Sequence, residues 1–114
     1  MKKIANSQPH LGRPVRGSKT GRPIMALLDL LGRRWQLRVL WELRAGAPMR
    51  FRALQDAAGV SPSVLNTRLA ELCDAKVVAL TEEGYALTAA GRALLDAFAP
   101  LYDWSERWAG RDSC

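Results

Sequence analysis

Gly59-Val60-Ser61-Pro62-Ser63-Val64-Leu65-Asn66-Thr67-Arg68-Leu69-Ala70-Glu71-Leu72 is the stretch that decides the fold. Ser61 followed by Pro62 opens a helix. A serine side chain caps the orphan amides of a first turn, and proline fits where no N–H is needed. Leu65, Leu69 and Leu72 then recur at helical spacing. Just upstream, Phe51 to Ala58 reads as another short helix, with Leu54 and Ala58 toward the core and Gly59 closing it. Two helices joined by the tight Gly59-Val60 turn are the pattern of a helix-turn-helix.

Working outward, Pro23 starts a first helix over Ile24–Leu31, ended by Gly32. A second spans about Arg33 to Arg44, with Trp35, Val39 and Leu43 on one face, and Gly46 and Pro48 bar its continuation. Downstream, Val77–Thr81 and Tyr85–Leu87 are two short β-rich runs around Glu82-Glu83-Gly84, a hairpin. Thr88 caps a last helix running to about Ala109. Helices, helix-turn-helix, hairpin and helix in that order make a winged helix, mainly α with a small β-hairpin (α+β). Residues 23–114 form this domain, including a long C-terminal dimerisation helix over 88–109, and residues 1–22 are expected to be a disordered basic arm.

At 114 residues, with 48% apolar and 25% charged, the chain has the composition of one globular domain. It holds no run of 18 apolar residues, so no membrane span is expected, and the N-terminus lacks the apolar core of a secretory signal. Cys73 and Cys114 cannot make a disulfide framework, and a single histidine, His10, cannot build a metal site. No paired carboxylates, activated nucleophile or Gly-rich phosphate loop is present, so neither enzyme activity nor a cofactor is expected, and a reducing cytoplasm is the expected compartment.

Charge is distributed unevenly. The net charge is +6, and residues 1–22 hold six cations and no acid. Residues 24–68 hold seven arginines against three acids, whereas residues 69–114 hold four cations against eight acids. Such clustering suits a polyanion, and in a helix-turn-helix the second helix enters the major groove of double-stranded DNA. With the leucines inward, Ser63, Thr67 and Ala70 point outward, flanked by Asn66 and Glu71. Asn pairs bidentately with adenine, and Ser or Thr serves bases or phosphates. Arg68, nearer the core edge, is expected to snorkel to a phosphate. The helix cap Ser61, together with Arg50 and Arg52 beside the third helix, and Arg13 and Arg16 in the arm, complete the candidate DNA contacts. Gly12-Arg13-Pro14 and Gly21-Arg22-Pro23 echo the short core with which AT-hook peptides enter the minor groove.

Several ordered motifs together resemble the HxlR family of bacterial transcriptional regulators. Leu28-Asp29-Leu30-Leu31-Gly32-Arg33-Arg34-Trp35, then Val39-Leu40-Trp41-Glu42-Leu43, then Arg50-Phe51-Arg52-Ala53-Leu54 follow its pattern. Val60 to Leu69 resembles its recognition helix, and Leu87-Thr88-Ala89-Ala90-Gly91-Arg92-Ala93-Leu94 its entry to the last helix. The match covers about residues 22–108. It implies a small winged-helix protein, similar to the MarR group, that works as a homodimer on a palindromic operator. Three positions depart from the pattern. Arg22 stands where many members carry a sensing cysteine, Ala53 replaces an acid, and the wing is short with the acidic tip Glu82-Glu83.

The last helix argues for a dimer on its own. Leu94, Phe98, Leu101 and Trp108 form a stripe that Leu95, Tyr102 and Trp104 widen, and Arg92–Asp96 and Asp103–Arg107 are spaced as i,i+4 pairs on the other face. So broad an apolar arc exceeds what a small core covers, which makes Leu94, Phe98, Leu101, Trp104 and Trp108 the expected dimer interface. Pro100 should bend this helix. Trp35 is expected in the core. Core packing is also the simpler reading of Trp41, the other being a lining for a small-molecule site of the kind MarR-like proteins hold. Cys73 is expected to be a small buried hydrophobe. The reading is a sequence-specific DNA-binding regulator with repression the expected sign, compatible with an unidentified small-molecule effector. The alternative is a winged-helix dimer used as a protein–protein interaction module.

Deleting residues 2–20 removes five of the arm's six cations. If they lie on DNA, several units should vanish from the slope of log K against log salt, at about 0.9 per phosphate neutralised. Base preference should persist. An unchanged slope in a salt titration would show that the arm takes no part.

Overall fold

Residues 22–110 are described by the structure, a computed structural model. Arg13, Arg16 and the rest of the arm as far as Gly21, together with Cys114, lie outside the described residues. The element order is α1 (Pro23–Leu31), α2 (Gln36–Glu42), α3 (Phe51–Ala58), α4 (Pro62–Asp74), β1 (Val78–Thr81), β2 (Gly84–Leu87), α5 (Ala89–Ala97) and α6 (Ala99–Ala109). This is a mainly helical winged helix-turn-helix with one antiparallel hairpin. No helix of the described residues is long and apolar enough to cross a membrane.

Leucines dominate the core. Leu40 and Leu43 of the α2 segment, Leu54 of α3, and Leu65, Leu69 and Leu72 of α4 are almost wholly buried, with Val39, Val78 and Leu87 completing the cluster. Each such side chain withdrawn from water contributes about 1.5–3 kcal/mol, and together they lock the α3–α4 pair onto α2. Gly59, at φ +72, supplies the left-handed turn that ends α3.

The second helix starts later than its pattern predicts. Trp35 takes φ +74, rare for a bulky residue, so α2 begins at Gln36 rather than Arg33. That reversal turns the indole outward, 39% exposed, with the Arg34 guanidinium 4.9 Å from the ring centroid. Gln36 takes the buried position instead. Trp35 is therefore not a core residue.

The last helix is also not continuous. Thr88 caps it as expected, its Oγ1 accepting from the Gly91 amide at 3.0 Å. The run stops at Phe98 and restarts at Ala99, giving α5 and α6 in place of one helix over 88–109. Pro100 has no N–H for the Asp96 carbonyl, and the Phe98 amide turns to Leu95 O at 3.0 Å. Neither i,i+4 pair forms among the described residues. Arg92 Nη1 instead donates to the Leu87 carbonyl at 3.1 Å.

The wing is short and fastened near its tip. β1 and β2 pair from Val78↔Leu87 to Thr81↔Gly84, leaving Glu82 and Glu83 at the tip. Met49 joins the hairpin by two bonds, its amide to Tyr85 O at 2.8 Å and the Tyr85 amide to Met49 O at 2.7 Å. Gly84, at φ +130, lies so close that a Cβ would sit 2.5 Å from the Met49 oxygen. A Cβ on Gly59 would meet nothing within 4 Å. Gly59→Ala should therefore cost about 1 kcal/mol, the left-handed penalty alone. Gly84→Ala should cost clearly more, because strain and collision add, and the ranking can be read from urea unfolding midpoints.

Candidate nucleic-acid interface

α4 presents two faces, and the leucine stripe dictates which is which. Ser61 Oγ accepts from the Val64 amide at 3.3 Å and fixes the start of the helix. Beyond it Ser63, Asn66, Thr67 and Ala70 are exposed along one side. The Thr67 hydroxyl donates to Ser63 O at 3.1 Å, which holds its rotamer. The Asn66 side-chain carboxamide has no hydrogen bond among the described residues, leaving both its donor and its acceptor ends available. Rigid, short, polar groups on one helical face can meet base edges in a major groove.

The inner edge of α4 differs from the sequence reading. Glu71 is not an outward flank: it is buried, 5% exposed. Arg33 Nη1 lies 3.0 Å from its Oε2 and Gln36 Nε2 donates to its Oε1 at 3.0 Å. Arg68 also turns inward. Its Nη2 donates to Glu71 Oε2 at 3.3 Å and its Nη1 to the Arg34 carbonyl at 3.3 Å, while Nε sits 3.3 Å from Oε1 without hydrogen-bond alignment. The expectation that Arg68 snorkels to a phosphate therefore meets a guanidinium already occupied by the protein. The reason is a counter-charge: Glu71 needs cations around it once buried.

The surplus of arginine in the first half of the chain is largely engaged in the same way. Arg33 also pairs with Asp29 at 3.1 Å, Arg38 with Glu42 at 3.0 Å, and Arg44 stacks over Trp41 at 4.0 Å. Arg52 keeps a side chain 84% exposed, with Asp56 only at the 4.0 Å edge of ion-pair distance, a contact worth little in water. Arg50 is exposed and donates one bond, to the Glu82 carbonyl at 3.1 Å. Arg50 and Arg52 thus remain the accessible cations on the α3 side, and Arg50 ties the wing tip to the start of α3.

A second feature lies away from α4. Between α2 and the α5–α6 joint is a cleft of about 620 Å³, lined by Leu37, Trp41, Leu95, Phe98, Leu101 and Tyr102 among others. Trp41 is half-exposed rather than core, and stacks on Tyr102 with centroids 5.8 Å apart. Leu94 and Phe98 pack partly on the chain's own core, whereas Leu101, Trp104 and Trp108 of α6 are exposed, as are Ile24 and Leu28 of α1. Trp104 and Trp108 stack 5.8 Å apart, 12° from parallel. Cys73 is half-buried against the core, and burial pushes its thiol pKa up, away from a reactive thiolate. Burial, and secondarily Cys73, raises the Tyr85 phenol as well.

Comparison with known proteins agrees with this geometry. A family model described as HxlR-like helix-turn-helix matches residues 30–113. The quinone-bound structure of YodB from Bacillus subtilis superposes with a TM-score of 0.69 at 28% identity, covering 74% of this chain and 96% of that one. A possible HxlR family transcriptional factor from Thermoplasma volcanium gives 0.67 at 22% identity over 85% and 95% of the two chains. A MarR family protein from Mycobacterium tuberculosis gives 0.58 at 29% identity over 74% and 65%. No curated protein matches the chain.

Proposed function

We propose that this chain, which belongs to the HxlR-like helix-turn-helix family and is thus a DNA-binding transcription regulator rather than an enzyme, acts as a homodimeric repressor of promoters carrying a palindromic operator. The observation that carries this reading is the outer face of α4. Ser63, Asn66 and Thr67 are exposed on a helix capped by Ser61 and backed by buried leucines, with Arg50 and Arg52 accessible at the start of α3. Asn66 reads a base edge, Ser61, Ser63 and Thr67 serve phosphates or bases, and the two arginines hold the backbone. In this reading the dimer represses by lying across promoter DNA and excluding polymerase.

Dimerisation is supported by the apolar residues left exposed on α1 and α6, above all Leu101, Trp104 and Trp108. A second copy is the simplest cover for them, and pairing two α4 helices about 34 Å apart would match successive major grooves. A small-molecule effector is supported by the aromatic cleft beside Trp41, and by the solved quinone complex of the structural relative YodB. The acidic wing tip is the one observation that favours the interaction-module alternative, because phosphate repels it.

Selection from randomised duplexes, followed by gel shift, tests the reading. Asn66→Ala should reduce preference for the selected duplex by about 1–3 kcal/mol, and Arg52→Ala should weaken all sequences alike. Wild-type protein that binds selected and random duplexes equally would favour the interaction module. Leu101→Asp combined with Trp108→Asp should yield monomers in sedimentation and lose operator binding together. Monomers that bind the palindrome at full strength would sink the dimer.

A further inference from the structure

We propose that Glu71 and Arg68 are positioning residues for DNA reading. The buried Glu71 carboxylate, held by Arg33 and Gln36 from outside its helix and by Arg68 from within it, fixes the rotation of α4 about its own axis. The proposal rests on the outer face of α4 as the DNA-reading surface, and it concerns what aims that face.

Leu65, Leu69 and Leu72 bury α4 strongly, but the free energy of taking apolar surface out of water is non-directional, and directional contacts sharpen the rotation that packing allows. Base recognition is less tolerant, because hydrogen-bonding groups must be held within about 0.5 Å and 10–20°. The contacts at Glu71 are directional and converge from separate elements. Arg33 approaches Oε2 at 3.0 Å while itself held by Asp29 of α1 at 3.1 Å. Gln36 of α2 donates to Oε1 at 3.0 Å and also lies 3.4 Å from the Leu30 carbonyl, with no surface exposed. Arg68 closes the set through Glu71 and through the Arg34 carbonyl at 3.3 Å, a carbonyl placed next to the left-handed turn at Trp35.

These anchors share an origin: Asp29, Arg33, the Arg34 carbonyl and Gln36 all belong to α1, the turn after it and the start of α2. That part of the chain also carries exposed Ile24, Leu28 and Leu37. α4 is therefore referenced by directional bonds to the α1–α2 corner, while its leucines join Leu54 of α3 only as members of the common apolar core. A side chain in this role affects DNA selection without touching DNA.

The test uses the full chain and two duplexes, one selected from a randomised pool by the wild-type protein and one scrambled from it. Glu71→Gln keeps the shape and removes the charge. It should lower the preference for the selected duplex by roughly tenfold, the low end of what one bidentate base contact discriminates, with the salt slope on the scrambled duplex unchanged. Arg68→Met should do the same, and the double variant should lose no more than either alone. A slope that falls by about 0.9 for each Arg68 removed would make Arg68 a phosphate contact and overturn the proposal. Full preference retained in Glu71→Gln would overturn it too. Amide hydrogen exchange on the free protein gives a reading independent of DNA. Val64–Leu69 amides should exchange faster in Glu71→Gln while those of α3 hold their protection. If wild type selects no duplex, the reading of the α4 face fails, and the exchange result still decides whether Glu71 pins the helix. Should Glu71→Gln not fold, Arg68→Lys, which keeps the charge but loses the fork, is expected to give an intermediate loss of preference, and none would overturn the proposal.

Discussion

Taking a carboxylate out of water costs several kcal/mol unless other groups replace the solvent it loses. At Glu71 the replacement comes from two guanidinium groups and one carboxamide, drawn from three parts of the chain. Removing any one of them leaves a buried charge short of partners, so the arrangement tolerates little deviation. It also explains features that otherwise look unrelated. Trp35 adopts a left-handed backbone at the turn from which Arg33 and Gln36 reach Glu71 and the Arg34 carbonyl reaches Arg68. Gln36 occupies an interior position because its amide meets the carboxylate and the Leu30 carbonyl.

How far these facts could be read from the sequence depends on the kind of information involved. Leucine spacing and the Ser61-Pro62 cap are local, and from them α4, its outer residues and the turn at Gly59 follow directly. Thr88 and the hairpin belong to the same class. The break at Phe98 was half legible: Pro100 forecast a disturbance, but whether a missing donor bends a helix or ends it depends on what packs beside it. Arg68 and Glu71 were not legible from α4 alone. A helical wheel gives their angle, near the boundary of the buried stripe, and a long charged side chain there can turn either way. The deciding group, Arg33, lies in another element. One signal did exist. Gln36 falls in register with Val39, Leu40 and Leu43, and a polar residue in an apolar stripe asks for a partner across the core.

The same lesson applies to charge. Counted along the chain, residues 24–68 form a basic half. In three dimensions Arg33, Arg38 and Arg68 face carboxylates and Arg34 and Arg44 lie on indoles, so the charge a phosphate could reach is smaller than the count of arginines. Net charge still sets the field felt at a distance. Contact is a separate matter, decided by which guanidinium groups have an edge free. A basic sequence thus supports attraction to a polyanion more securely than it identifies the residues that touch it.

The stacked pair at the end of α6 has an optical consequence. Two indoles whose centroids are 5.8 Å apart and whose planes differ by 12° couple their electronic transitions, so they absorb and rotate light as one chromophore rather than two. Both rings stand at the surface on one helical face, i and i+4. Anything that seats against that face and turns either ring by a few degrees changes the sign or size of the resulting circular dichroism couplet. The protein therefore carries its own unlabelled reporter of events on α6.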